Sequence, residues 1–458
     1  MRYLPFLVLM LIAASCATPR TEVPLLFEPP DAFSSDGESV LADAWWESFG
    51  DASLNGFMAQ ALSNNLSLRA TWDRLAQAEA TARRQGADLY PSLDIVASAS
   101  SIDLDQGRAE EYSGGLVASY ELDVWGRVRS TREAASLDVA ATAAQLRAAA
   151  ITLSAEIAIA WFQRAEQAGQ LNLLEQQLAT SEKSLELLRS RFRSGQSSAV
   201  DVLQQEQLVE ARRGDMSSAR ARLAVLENQL AILAGQSAGS AIPEPAAWEN
   251  LPPAPETGLS ADLLQRRPDV LRAYHLVLAA DERAAAALAD RFPRFSISAR
   301  YTSTEAEASD LFSNWITTLA ANLVAPVIDG GAKRAEVERA RAALSEAINT
   351  YGQTVLTALG EVENALVREQ NQRELLDSLH RQLELATQVT DQTRERYLRG
   401  IGDFLRVLTA ELSQQNLERN VLAAERELRE FRVALCRALS GGFDLERPSP
   451  ATLDPTVE

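Results

Sequence analysis

A chain of 458 residues with 44 Lys+Arg, 63 Asp+Glu and a formal charge of -19 is a poor candidate for nucleic acid as its main partner, because phosphate binding runs on clustered Lys and Arg. Hydrophobic residues make up 46% and charged residues 23%, which supports a large core and excludes a disordered chain. Two cysteines, Cys16 and Cys436, and two histidines, His275 and His380, leave few ligands for zinc or for a His-based catalytic centre.

The chain starts with Arg2, an apolar run from Tyr3 to Ala14, and small residues before Cys16. That pattern is a secretory signal over residues 1–15. Ala13-Ala14-Ser15-Cys16 resembles a bacterial lipoprotein box, with Ala13 where leucine is usual, so Cys16 is the expected lipidation site and 16–50 a lipidated N-terminal segment. Each buried acyl CH₂ adds roughly 0.8 kcal/mol of membrane affinity. A spanning helix needs about 20 apolar residues, and the sequence after Cys16 offers no such window free of charges.

A helix is expected over 51–87, followed by a strand pair over 91–123. No proline occurs between Pro91 and Pro243, or between Pro326 and Pro448, so these gaps admit long helices. A helix over 127–194, with Gly169 its one strong breaker, would be roughly 100 Å long at 1.5 Å per residue. Leu171, Leu174, Leu178, Leu185, Leu188 and Phe192 form its apolar stripe. After Gly195 the matching stripe, Val202, Val209, Met216, Leu223 and Leu230, runs along a helix over 201–234. Steps of three and four mark a coiled coil, and the short link makes 127–234 an antiparallel hairpin.

The plan then recurs. Arg191-Phe192-Arg193-Ser194-Gly195 returns as Arg396-Tyr397-Leu398-Arg399-Gly400, and Tyr90-Pro91 returns as Phe292-Pro293. A first repeat over 51–234 and a second over 258–440 are therefore expected, joined by a Pro-rich linker over 235–257 and followed by a tail over 441–458. The second repeat reads as a helix over 259–290, a strand pair over 293–326 and a coiled-coil hairpin over 331–440.

Within the strand pairs, Leu93, Ile95, Ala97 and Ala99, then Leu116, Ala118, Tyr120 and Leu122, alternate with polar residues. Phe295, Ile297, Ala299 and Tyr301 do the same, as do Trp315, Leu319 and Leu323. Runs of about ten residues suit transmembrane strands, and Tyr90, Tyr112, Trp125, Phe292, Phe295 and Trp315 near their ends suit an interfacial girdle. The alternative is a small soluble sheet packed on helices. Four strands cannot close round a lumen, and an open edge cannot sit in hydrocarbon, so membrane strands would require several chains to share one barrel.

Several motifs, in this order, resemble the TolC-like outer-membrane efflux proteins and their lipoprotein branch. They are Trp45-Trp46 with Phe49 and Asp51; Asn64-Asn65-Leu66; Asp123-Val124-Trp125-Gly126-Arg127; Arg267-Pro268-Asp269-Val270; and Ala325-Pro326 through Asp329-Gly330-Gly331. The resemblance implies a mainly α fold with a small membrane β-barrel: duplicated coiled-coil hairpins forming an α-helical barrel, and four strands per chain in a trimeric 12-stranded barrel. It implies a passive exit duct for drugs, toxic compounds or metal ions in a tripartite pump, with a periplasmic adaptor and an inner-membrane resistance-nodulation-division transporter as partners. The expected place is the outer membrane of a Gram-negative bacterium, lipid-anchored and extending into the periplasm. No cofactor, metal or catalysis is implied. A duct for type I protein secretion and a non-pore periplasmic lipoprotein scaffold are the alternatives.

In that family the two hairpin turns form the adaptor-docking tip. Here they are Gly195, Ser197, Val202 and Leu203 in one repeat and Gly400, Asp403, Val407 and Leu408 in the other. Family gates often place acidic residues after the second turn, whereas this chain has Arg406 and Thr409 there and Asp201 after the first. Pairing of Arg406 with Asp201 across adjacent coils is the expected pore gate.

Overall fold

Pairs of helices of closely matched length carry the duplication into three dimensions. In the computed structural model, helices α1 (Ala52–Asn64) and α2 (Leu66–Ala87) lead into strands β1 (Ser92–Leu104) and β2 (Gly107–Leu122), then α3 (Arg127–Arg193) and α4 (Ala199–Leu233). The second repeat follows with α5 (Ser260–Arg266), α6 (Pro268–Ala289), β3 (Arg294–Glu305), β4 (Trp315–Val324), α7 (Ala332–Leu398) and α8 (Phe404–Leu439). α2 and α6 have 22 residues each, α3 and α7 have 67 each, and α4 and α8 have 35 and 36. The structure describes residues 27–28, 30–35, 41–104, 107–246, 251–258, 260–440, 442–443 and 445. Cys16 and the signal lie outside the described residues, as does most of the 441–458 tail.

Each expected leading helix is in fact two. The run over 51–87 breaks at Asn65, whose ψ of 121° leaves the helical region. Its side chain caps α2 by accepting from the Leu68 amide (2.9 Å) and donates to the Leu233 carbonyl at the end of α4 (2.9 Å). The run over 259–290 breaks at Arg267-Pro268, because proline has no amide to donate and clashes with the preceding turn. Arg267 and Asn65 are 202 residues apart, so the two breaks are one feature, duplicated. Gly169, by contrast, does not interrupt α3; it faces Leu422 of α8 at ordinary contact distance.

The chain divides into two compact units. One contains Trp72–Leu146 and Asp269–Val355, and with them the whole sheet. Its strands run in the order β1-β2-β3-β4, all antiparallel, so β1 and β4 are its edges. The register sets Leu93 opposite Ala118, Ala118 opposite Ala299 and Ala299 opposite Leu319. Every apolar row picked out in the sequence therefore falls on one face. That face is open, with Ile95 85% and Leu319 76% exposed. The other face carries serine pairs bonded across the rungs, Ser92 with Ser119 and Ser98 with Ser113. At the strand ends, Trp125 stacks on Phe292 (4.8 Å) and donates to the Pro293 carbonyl (2.7 Å). Asp123 caps α3 through the Val128 and Arg129 amides, and Asp329 caps α7 through the Gly331 and Lys333 amides.

The second unit contains Pro29–Thr71, Arg147–Pro268 and Leu356–Glu458. Trp45, Leu54, Met58, Ile157 and Trp161 are fully buried in it. Asp51 ties this core together, accepting from Ser53 and Leu54 at the start of α1 and from the Trp161 indole (2.8 Å). One stretch of α3 is apolar enough by length and composition to cross a membrane, though it is not free of charges, and more than half of it is buried. α3 is thus a core helix whose alanines allow close packing. Gln372 and Arg432 lock α7 to α8, the former through the Ala424 carbonyl (3.0 Å) and the latter through Glu369.

Candidate functional site

The two turns are built alike. α3 closes at Gly195, whose φ of +73° is the left-handed value that ends a helix, with the Gln196 amide bonded back to the Arg191 carbonyl (2.8 Å). α7 closes at Gly400, φ +78°, with the Ile401 amide bonded to the Arg396 carbonyl (3.0 Å). The following helices start on different caps. Ser198 and Asp201 form a reciprocal capping box at α4, with the Ser197 hydroxyl adding a third bond to the Asp201 carboxylate (2.9 Å). Asp403 caps α8 through the Leu405 amide.

Beneath the turns, Leu188, Leu208, Phe404, Val407 and Leu408 form one buried cluster, against which Val202, Tyr397 and Leu412 pack. Tyr397 leans on Phe404 (5.6 Å), and the Arg191 guanidinium lies over its ring at 4.7 Å. Four helix ends thus share a single small core. Val407 and Leu408 are buried in it and Val202 partly so, whereas Leu203 is 63% exposed. The two Val-Leu pairs therefore differ: three of the four side chains support the turns, and only Leu203 presents a surface. The exposed apolar rim also includes Val200, Leu398, Ile401 and Leu405, together with Phe192, which turns outward from the stripe assigned to it. The only sequence signal for these was that they sit beside the turn glycines.

Arg406 and Thr409 are exposed, and the Thr409 hydroxyl bonds its own helix at the Leu405 carbonyl. Asp201 has its partners within its own turn. Burial works against its charge, yet the bonds from the Ser198 amide and from the Ser197 and Ser198 side chains outweigh that and hold the carboxyl below the usual carboxylate range. The stabilisation is complete above the unfolded value and is lost as pH falls through the lower folded one. Ser197→Ala, which removes a hydroxyl bond to the Asp201 carboxylate, should cost this cap about 1 kcal/mol and speed amide exchange over 198–202 near neutral pH. The difference should shrink in acid as Asp201 protonates, and a pH-independent difference would count against this account.

Deeper in the coils, polar residues are buried and paired. Arg212 reaches Gln415 (2.7 Å), and Gln177 bonds Glu418 (2.9 Å) and Arg419 (3.0 Å). Among the described residues no group of three His, Cys, Asp or Glu is placed to hold a metal. His275 is half-buried, and burial lowers its pKa. Cys436 is buried, and its thiol is pushed up to about 12 by that burial.

A two-repeat chain of paired long helices, a four-stranded sheet with one apolar face and glycine-closed hairpin tips defines the class. The sequence matches the family described as outer membrane efflux protein over residues 57–236 and 259–441, and the chain belongs to that family. It is 30% identical to the pyoverdine export outer membrane protein OpmQ of Pseudomonas aeruginosa, covering 91% of this chain and 92% of the relative. It is 27% identical to the cation efflux system protein CusC of Escherichia coli O157:H7, covering 96% and 99%. The solved structure of the outer-membrane channel OprN superposes with a TM-score of 0.85 at 28% identity, covering 93% of this chain and 99% of that one.

Proposed function

We propose that this protein is the outer-membrane exit duct of a tripartite efflux pump. Three copies contribute four strands each to a 12-stranded barrel, and their long helices continue as an α-helical barrel into the periplasm. The observation that carries this reading is the sheet: one face apolar and open, the other bearing serine pairs bonded across the rungs, and both edges without a partner strand among the described residues. Such a sheet is costly in water and impossible in lipid until its edges are closed by further copies. Acylation at Cys16 would hold the mature chain at the membrane.

The exposed rim of Val200, Leu203, Ile401 and Leu405 is the surface offered to a periplasmic adaptor, with the buried Val407 and Leu408 setting its shape. An inner-membrane resistance-nodulation-division transporter supplies the energy and the choice of cargo. The relatives named above are described as exporting pyoverdine and cations, which supports a duct that does not itself select. The chain's net charge of -19 supports an acidic wall, which would favour cations over anions.

At the tip, Arg406 is free to reach an acidic group of a neighbouring chain, and its pairing with Asp201 there would narrow the pore. Purified protein in planar bilayers tests both statements. A cation-preferring conductance is expected, with a larger closed-state current for Arg406→Ala. An unchanged current would remove the gate, and no conductance at all would leave the scaffold reading in place of the duct.

A further inference from the structure

The internal duplication fixes how one copy joins the next, and this inference rests on the trimeric reading above. Two offsets relate the repeats. Tyr90-Pro91 becomes Phe292-Pro293, so β1 maps onto β3 by 202 residues. Gly126 becomes Gly331, the start of α3 becomes the start of α7, and Gly195 becomes Gly400, so β2 maps onto β4 by 205. The β1–β2 hairpin checks the mapping. It pairs Leu93 with Ala118 and Ile95 with Leu116, which map to Phe295 with Leu323 and Ile297 with Ala321, and both are observed pairs of the β3–β4 hairpin.

The joint between repeats, β2 with β3, pairs Ala118 with Ala299, Leu116 with Tyr301 and Leu122 with Phe295. Carried forward by the same offsets, its counterpart is a joint between β4 of one copy and β1 of the next. We propose that these strands pair in a register that sets Leu323 opposite Ala97 and Ala321 opposite Ala99 of the neighbouring copy, which brings Val327, just past the end of β4, beside the neighbour's Leu93. Odd residues meet odd residues, so the apolar face continues unbroken across the seam; a slip of one residue would turn it over.

Exposure supports the assignment. Val327 is 89% and Leu93 69% exposed in the single chain, whereas their in-chain counterparts Leu122 and Phe295 face each other. The Trp125–Phe292 stack maps to Gly330 and Tyr90. A Cβ on Gly330 would meet nothing within 4 Å, and Tyr90 is 73% exposed. The neighbour's Tyr90 ring therefore occupies the space over Gly330, where no side chain competes with it.

Paired cysteines read the register directly, because opposed strand residues lie within disulfide range while residues two positions off are more than about 7 Å away. The native Cys436 is buried and stays out of the reaction. Membranes carrying Leu323→Cys with Ala97→Cys, or Ala321→Cys with Ala99→Cys, are oxidised with copper phenanthroline and run boiled without reductant. The expected result is that the trimer becomes the main boiled species in both, while Leu323→Cys with Ile95→Cys or with Ala99→Cys yields monomer. Unboiled trimer in every sample with linkage only in the shifted pairs would overturn the register alone. Monomer in the unboiled parent would overturn the trimeric reading itself.

Discussion

Replacing Arg432 with alanine is expected to destabilise the folded chain by about 3–5 kcal/mol, the cost of leaving a buried charge without its partner. Arg432 is 1% exposed and grips Glu369, itself 4% exposed, with two bonds of 2.9 and 2.6 Å. Its remaining donor reaches the carbonyls of Pro252 and Pro253 (2.6 and 2.8 Å). One guanidinium therefore joins α7, α8 and the Pro-rich linker. Arg373 also contacts Glu369 but is half exposed and cannot replace the buried fork. Urea unfolding in detergent should show the loss, and protease cleavage near Pro252 should quicken. Arg432→Lys should fall between, since an ammonium keeps the charge and loses the planar pair of donors. Wild-type stability in Arg432→Ala would mean that the linker and Glu369 find other partners.

Gly115→Val should abolish assembly. A Cβ at Gly115 would lie 2.2 Å from the Tyr301 carbonyl oxygen and 2.6 Å from the Thr302 Cα, and these are backbone atoms of β3 that cannot swing aside. A glycine in a strand interior often marks such a close approach. The damage falls on the β2–β3 ladder, the seam between the two repeats. Heat-modifiable trimer in outer-membrane extracts should disappear. Gly114→Ala is the matched control: its Cβ would meet only the Leu311 side chain at 3.6 Å and should leave the trimer intact. Equal loss in both would point to a general intolerance of the strand instead of this contact.

Much of this architecture was legible because proline and glycine act locally. Proline-free gaps marked α3 and α7, and Gly195 and Gly400 marked the turns, since each residue constrains its own backbone whatever surrounds it. Alternation gave the strand faces for the same reason. What stayed hidden depends on partners far along the chain. Asn65 reads as an ordinary helix residue until Leu233 is beside it. Val202-Leu203 and Val407-Leu408 are identical pairs in sequence, yet one leucine points outward and the other is buried. A seven-residue repeat specifies a seam between two helices, and at the tip four helix ends meet, so the period cannot rank the faces. Arg191 over Tyr397 is likewise a contact between the ends of two helices some 200 residues apart.

The two hairpins of the sheet are not equally tall. β1 and β2 remain paired as far as Leu104 and Gly107, whereas β3 and β4 stop at Ser303 and Trp315, which the duplication places three rungs lower, about 10 Å at the rise of a strand. The longer β3–β4 loop does not make up the difference by standing free, since Leu311 lies against the backbone at Gly114. In a closed ring the outer mouth would be castellated, three high lips alternating with three low ones. Antibodies, phages or toxins arriving at the cell surface would then touch the first repeat before the second.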